Sequence, residues 1–122
     1  MKIEKTIPLL RIFDVDKAKE FYIDWLGFKE DWSHQFEENM PYYIQISREE
    51  LTFHLTEHVG DCSPVAKVFI NCSDIESFFQ ELQAKPYKYY RPSLEEAFWN
   101  ARIINLIDPF GNKLVFNEYH KS

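Results

Sequence analysis

The chain is short of the residues that most chemistry-bearing motifs need. It has two cysteines, Cys62 and Cys72, and three glycines in 122 residues. The cysteines form no CxxC pair, and no Cys/His spacing matches a zinc site. Two free thiols fit a reducing cytosol. No glycine-rich phosphate loop is present, and no Ser/His/Asp arrangement has the order of a known nucleophile constellation. Basic residues are outnumbered, 14 against 20 acidic, for a net charge of -6. That balance excludes the basic patch nucleic acid requires, and it favours a neutral or cationic ligand. No stretch approaches the roughly 18 apolar residues of a membrane helix. No apolar run of signal-peptide type follows Met1-Lys2-Ile3-Glu4-Lys5. The expectation is a cytoplasmic protein with no membrane or nucleic-acid partner.

What is abundant is apolar and aromatic. The hydrophobic fraction is 45% and the aromatic fraction 17%. The length suits one domain, and rings surplus to a core commonly line binding surfaces. Thr6 to Phe13 reads as a strand. Asp14 or Asp16 can cap a following helix, because a short carboxylate accepts from free N–H groups of the first turn. Val15, Ala18, Phe21, Tyr22, Trp25 and Leu26 then form the stripe of a half-buried helix. Gly27 ends it, and Phe28 can pack back on the last turn. Strands are expected over Phe28 to Ser33, Tyr42 to Ser47 and Leu51 to Glu57, with Arg48-Glu49-Glu50 as a turn.

After a linker near Gly60 to Pro64 the order repeats. Ala66 to Cys72 reads as a strand. Ser73 and Glu76 have the spacing of a capping box, and Ile75, Phe78, Phe79 and Leu82 supply the second helical stripe. A shift of 57 residues superposes the two stripes. Tyr87 to Arg91, Arg102 to Ile107 and Lys113 to Tyr119 read as strands. Asp108-Pro109-Phe110-Gly111 has type I turn chemistry and joins the last two. The chain therefore reads as an α+β fold of two tandem βαβββ modules, about 1–58 and 66–122, joined by a linker of about 59–65. Alternation gives the third and fourth strands an apolar face of Tyr42, Ile44, Ile46, Leu51, Phe53 and Leu55. The opposite face carries Tyr43, Gln45, Ser47, Thr52, His54 and Thr56. Such a face is either a wet outer surface or a concave wall that holds a ligand.

Residues Arg11 to Tyr22, followed by Trp25-Leu26-Gly27-Phe28, resemble the opening strand and helix of the vicinal-oxygen-chelate superfamily of glyoxalases, bleomycin resistance proteins and dioxygenases. Trp99-Asn100-Ala101-Arg102-Ile103-Ile104 and Asp108-Pro109-Phe110-Gly111-Asn112 resemble the WGxREF…DPxGN signature of the bleomycin-resistance-like branch. The resemblance implies a cupped mixed sheet with helices on its outer face. It also implies a homodimer whose clefts are built partly from both chains. Fold alone does not choose among the family's activities.

Metal-dependent members place four His, Glu or Gln ligands on the concave face. Carried over, those positions fall on Ile7, His54, Val68 and Val115, and aliphatic side chains cannot ligate. The departures Asn100 for the motif glycine and Ile103 for the motif glutamate bear on the site as well. Asn can keep φ > 0, whereas loss of the glutamate removes a candidate general base. Arg102 matches the motif arginine and is expected in a structural salt bridge.

The expectation is a small-molecule-binding protein without metal or cofactor, sequestering an aromatic or cationic compound in a dimer cleft. Trp99, Trp32, Tyr43, His54, Phe36 and Gln45 are the candidate ligand-binding residues. The alternative is a metal-dependent glyoxalase or dioxygenase of the same superfamily.

Overall fold

A computed structural model describes residues 1–85, 87 and 91–121. Strand β1 (Leu9–Arg11) leads into α1 (Val15–Lys19), which continues as a π-helical turn over Glu20–Trp25. Strands β2 (Lys29–His34), β3 (Tyr43–Arg48) and β4 (Leu51–Thr56) complete the first module. The second consists of β5 (Lys67–Asn71), α2 (Ile75–Ala84), β6 (Leu94–Ala97), β7 (Ala101–Ile107) and β8 (Lys113–Tyr119). The sheets have matching orders, β1-β4-β3-β2 and β5-β8-β7-β6. In each, the first strand runs parallel to the last and the remaining pairs are antiparallel. This is the tandem βαβββ architecture that the repeated pattern predicts.

The two sheets share one core. Leu10, Ile12, Phe21, Tyr22, Ile44, Ile46, Phe53 and Leu55 pack in the same buried cluster as Ile75, Leu82, Ile104, Leu106, Leu114 and Phe116. Burial of that apolar surface drives the association of the halves. The Trp25 indole N–H donates to the Leu82 carbonyl at 3.3 Å, and these two residues are equivalent under the 57-residue shift. Equivalent positions of the two halves therefore meet in the shared core.

The helix boundaries have identifiable causes. Asp14, rather than Asp16, caps α1, its carboxylate accepting from Lys17 N–H at 2.9 Å. The Leu26 N–H reaches back five residues to the Phe21 carbonyl, which widens the last turn. Gly27 then takes φ 78, and a Cβ there would lie 2.8 Å from Arg48 Nη1. Phe28 folds back against Tyr22 and Phe53, as expected.

Two expectations are corrected. Strand β1 covers three residues rather than Thr6 to Phe13. Ser73 does not cap α2: Asp74 occupies the cap with φ 60 and no side-chain bond of its own. The carboxylate of Glu118, on the neighbouring strand, accepts instead from Asp74 N–H at 2.8 Å and Ile75 N–H at 3.2 Å. Glu76 is thereby free to pair with Arg102 at 3.1 Å, the structural salt bridge expected of that arginine. The strand expected over Tyr87 to Arg91 lies mostly outside the described residues. The edge strand seen is Leu94–Ala97.

The Asp108-Pro109-Phe110-Gly111-Asn112 segment does more than turn the chain. Gly111 N–H closes on the Asp108 carbonyl at 3.2 Å, as the turn chemistry predicts. The Asp108 carboxylate accepts from Tyr22 O–H at 2.7 Å, from the backbone of Phe110 and Asn112, and from the Asn112 amide. The same amide donates to the Arg11 carbonyl, and its oxygen accepts from Ala66 N–H. One buried node thus ties β1, α1 and the start of β5 to the β7–β8 hairpin. Burial raises the Asp108 carboxyl above its ordinary range although four hydrogen bonds oppose it. Burial first, and Asp108 second, hold the Tyr22 phenol well above its ordinary value.

Asp108→Ala leaves several buried donors without an acceptor. It should lower unfolding stability by at least about 3 kcal/mol in urea titrations, against about 1 kcal/mol for Tyr22→Phe. Because the Tyr22 phenol is raised in the folded state, its contribution is complete below the unfolded tyrosine pKa of about 10 and is lost as pH rises beyond it. Alkaline melting curves of the wild type and Tyr22→Phe should therefore converge above that pH. Glu118→Gln, which weakens the borrowed cap on α2, should cost about 1 kcal/mol in the same titration.

Candidate functional site

The helix-facing sides of the sheets are consumed by the shared core, so their other faces point outward. On the first module that face carries Leu9 and Arg11 of β1, Thr52, His54 and Thr56 of β4, and Tyr43, Gln45 and Ser47 of β3. Register aligns them in rows: Leu9, His54 and Gln45 in one, Arg11, Thr56 and Tyr43 in the next. An irregularity between Glu30 and Trp32 in β2 shifts the register and sets Trp32 opposite Gln45. Bulges commonly re-aim a side chain in this way.

Four of the six candidates meet on this face. The Trp32 ring stacks on Tyr43, with centroids 6.0 Å apart and planes 7° from parallel. His54 meets the edge of both rings, at 5.4 Å and 5.1 Å. Tyr43 Oη lies 2.7 Å from His54 Nδ1, and His54 Nε2 lies 2.9 Å from Gln45 Oε1. The Gln45 amide N–H donates to Asp31 at 3.1 Å, and Ser47 Oγ donates to the other carboxylate oxygen at 3.0 Å. Directions follow from the end of the chain. Asp31 can only accept, so Gln45 turns its amide to it and its oxygen to His54. His54 Nε2 therefore carries the proton, and Nδ1 accepts from Tyr43. Burial pushes the His54 pKa below the ordinary value, consistent with this neutral tautomer. The bonds from Gln45 and Ser47 hold the Asp31 carboxyl below its usual range.

Ser47 lies on this face as the alternation of β3 predicts, whereas Asp31 and Lys5 were not among the residues expected there. Lys5 donates to the Thr52 hydroxyl across the strand end. Asp31 depends on the β2 irregularity, which no pattern in the sequence marks.

Trp99 lies apart, on the outward face of the second module. Its indole N–H donates to Asn117 Oδ1 at 2.7 Å, and Asn117 donates to Asn71. Phe69 and Phe98 flank its ring at 6.4 Å and 4.9 Å, and are 49% and 96% exposed. Asn100 takes φ 61, the left-handed region that glycine and asparagine tolerate. Phe36 joins neither group: it is 73% exposed and makes an edge contact with His34. A cleft of about 770 Å³ lies elsewhere, where the β3–β4 turn faces α2 and the end of β5. Arg48, Glu49, Glu50, Cys72 and Asp74 line it over a floor that includes Phe28, Phe78 and Phe116. Arg48 is committed there to Glu81 at 2.7 Å.

The donor set does not fit the family's metal. Ile7 and Val115 offer no lone pair. Val68 faces the core, and its outward neighbour Phe69 offers none either. His54 has both ring nitrogens engaged. Among the described residues, no group of three or more His, Cys, Asp or Glu is placed to hold an ion. No described helix is long and apolar enough to cross a membrane.

Comparisons with known proteins agree with this fold. A family model described as "Glyoxalase superfamily protein" matches residues 1–122. No curated protein matches the sequence. Among solved structures, a bleomycin-binding protein complexed with bleomycin aligns with TM-score 0.73 at 19% identity, over 97% of this chain and 100% of its own. An antibiotic binding protein from a Streptomyces species aligns with TM-score 0.74 at 17% identity, over 98% and 99%. A bleomycin-binding protein from Streptomyces verticillus, complexed with copper(II)-bleomycin, aligns with TM-score 0.68 at 22% identity, over 99% of each chain. At these identities the likeness establishes the fold.

His54 should titrate below the ordinary histidine pKa of about 6.5, with its Nε2 protonated at neutral pH. Long-range nitrogen–proton NMR spectra would read both. Tyr43→Phe removes the donor to Nδ1 and should move that nitrogen's shift while leaving the fold intact.

Proposed function

This chain belongs to the glyoxalase superfamily, and from that premise we propose that it sequesters a small planar aromatic compound without metal and without catalysis. The observation that carries the proposal is the Trp32–Tyr43–His54 platform. Trp32 is 44% exposed on a solvent-facing strand, yet its ring is held by stacking and its neighbours by a hydrogen-bonded chain. A flat apolar surface kept in one orientation binds a planar ligand at little ordering cost. Of the aromatic and cationic ligands that composition favours, the platform supports the aromatic one.

A non-catalytic role is supported by the engagement of the polar groups. A general base needs a lone pair facing the substrate, and His54 Nδ1 faces Tyr43. The relatives with bound bleomycin support sequestration as a use of this fold. In the proposed homodimer, the Trp32 face of one protomer and the Trp99 face of its partner close one cleft. The outward orientation of both faces within one chain supports this arrangement, since neither can cover the other.

Trp32→Ala should weaken binding of planar aromatic antibiotics at least about tenfold in calorimetric titrations, the loss expected of a central aromatic anchor. Added nickel, zinc or manganese should leave the melting temperature unchanged. Stoichiometric stabilisation by any of them would sink the metal-free reading.

A further inference from the structure

Arg11 is the one residue of the first module's open face whose charge the site described so far does not use. It is 8% exposed. An arginine so largely buried ordinarily has a carboxylate beside it. Here none of the described carboxylates lies within 4.0 Å, and Nε is buried with no acceptor. What contacts it does not neutralise it: the guanidinium carbon sits 4.5 Å over the Phe13 ring. Asp61, in the linker, accepts from the Thr56 hydroxyl at 2.7 Å instead. Cys62 lies close enough for Arg11 to draw its thiol pKa downward, against the larger effect of burial.

The placement of this charge is informative. Arg11 pairs in register with Thr56, and Thr56 pairs with Tyr43. Adjacent strands are about 4.8 Å apart, so the arginine row begins roughly 10 Å from the tyrosine under the stacked Trp32. That is the span of a two-ring aromatic with one substituent. The other charged groups beside this row have hydrogen-bond partners: Asp31 has Gln45 and Ser47, Lys5 has Thr52, and Asp61 has Thr56. Among the described residues, Arg11 Nε is the buried side-chain nitrogen without an acceptor. Such a donor discriminates strongly, because a ligand lacking the matching group leaves it unpaired.

We propose that Arg11 is an anion-recognition site on this face, and that the ligand is a planar aromatic acid whose carboxylate or comparable oxyanion pairs with its guanidinium while its rings lie against Trp32. The proposal rests on the aromatic-sequestration reading and narrows it. A ligand bearing only cationic groups is disfavoured at this end of the face, although the net charge of the chain favours one.

The test compares 2-naphthoate with its uncharged isostere 2-naphthamide by equilibrium dialysis against the purified protein. The acid should bind at least about tenfold more tightly, a difference of roughly 1.4 kcal/mol. Arg11→Gln should abolish that preference, so that the two probes bind the variant alike. Arg11→Lys, which keeps the charge, should retain part of the preference, and it covers the case in which Arg11→Gln fails to fold. Trp32→Ala should weaken both probes. If the amide binds as tightly as the acid, or if Arg11→Lys and Arg11→Gln both keep the full preference, the anion site is wrong and aromatic sequestration stands. If neither probe binds the wild type, both readings fall together.

Discussion

The arrangement of the molecule depends on a carboxylate. Asp108 sits in the turn between the last two strands and gathers Tyr22 from the first helix with Asn112 from its own turn. Asn112 in turn holds the backbone of Arg11 and Ala66. The shared apolar core supplies most of the driving force. An apolar cluster alone, however, tolerates small rotations of one sheet against the other, because it is not directional. A buried set of hydrogen bonds does not, because each donor left unpaired costs on the order of 1–3 kcal/mol. The node therefore fixes how the two modules meet, and with it the direction in which each open face points.

Several consequences follow from that orientation. The helix-facing sides are spent on each other, so Trp32 and Trp99 are left on two separate outward surfaces. The first is organised by a chain running from Tyr43 through His54 and Gln45 to Asp31, which fixes tautomer and rotamer together. The second is organised by Asn117, which accepts from Trp99 and donates to Asn71. In both, polar groups act on aromatic ones by holding them still. Rings held in one orientation need little further ordering when a ligand arrives.

The signature segments of the sequence divide along the same line. The Asp-Pro-Phe-Gly-Asn turn, which resembles a family motif, is explained by the clasp and needs no ligand. Arg102, from the companion motif, bridges β7 to α2 through Glu76. Trp99, from the same motif, lies on the outward face of the second module. A motif shared across many activities is expected to serve what those activities have in common, which is the fold.

Much was legible along the chain itself. The 57-residue repeat, the stripe Ala18-Phe21-Tyr22-Trp25, the glycine stop at Gly27 and the alternation of β3 and β4 are local patterns. They follow from the 3.6 and 2.0 residue periods of helix and strand. Those periods gave the tandem α+β architecture and put Tyr43, Gln45 and His54 on one face. The sequence could not show that Trp32 joins them, because that depends on an irregular register in β2. Nor could it show that Trp99 stands on a different surface, that Glu118 caps a helix 43 residues upstream of it, or that Arg11 is buried without a counter-charge. Each of these is decided by which strand lies beside which, and pairing between distant segments is settled only when the core closes and every buried polar group must find its partner.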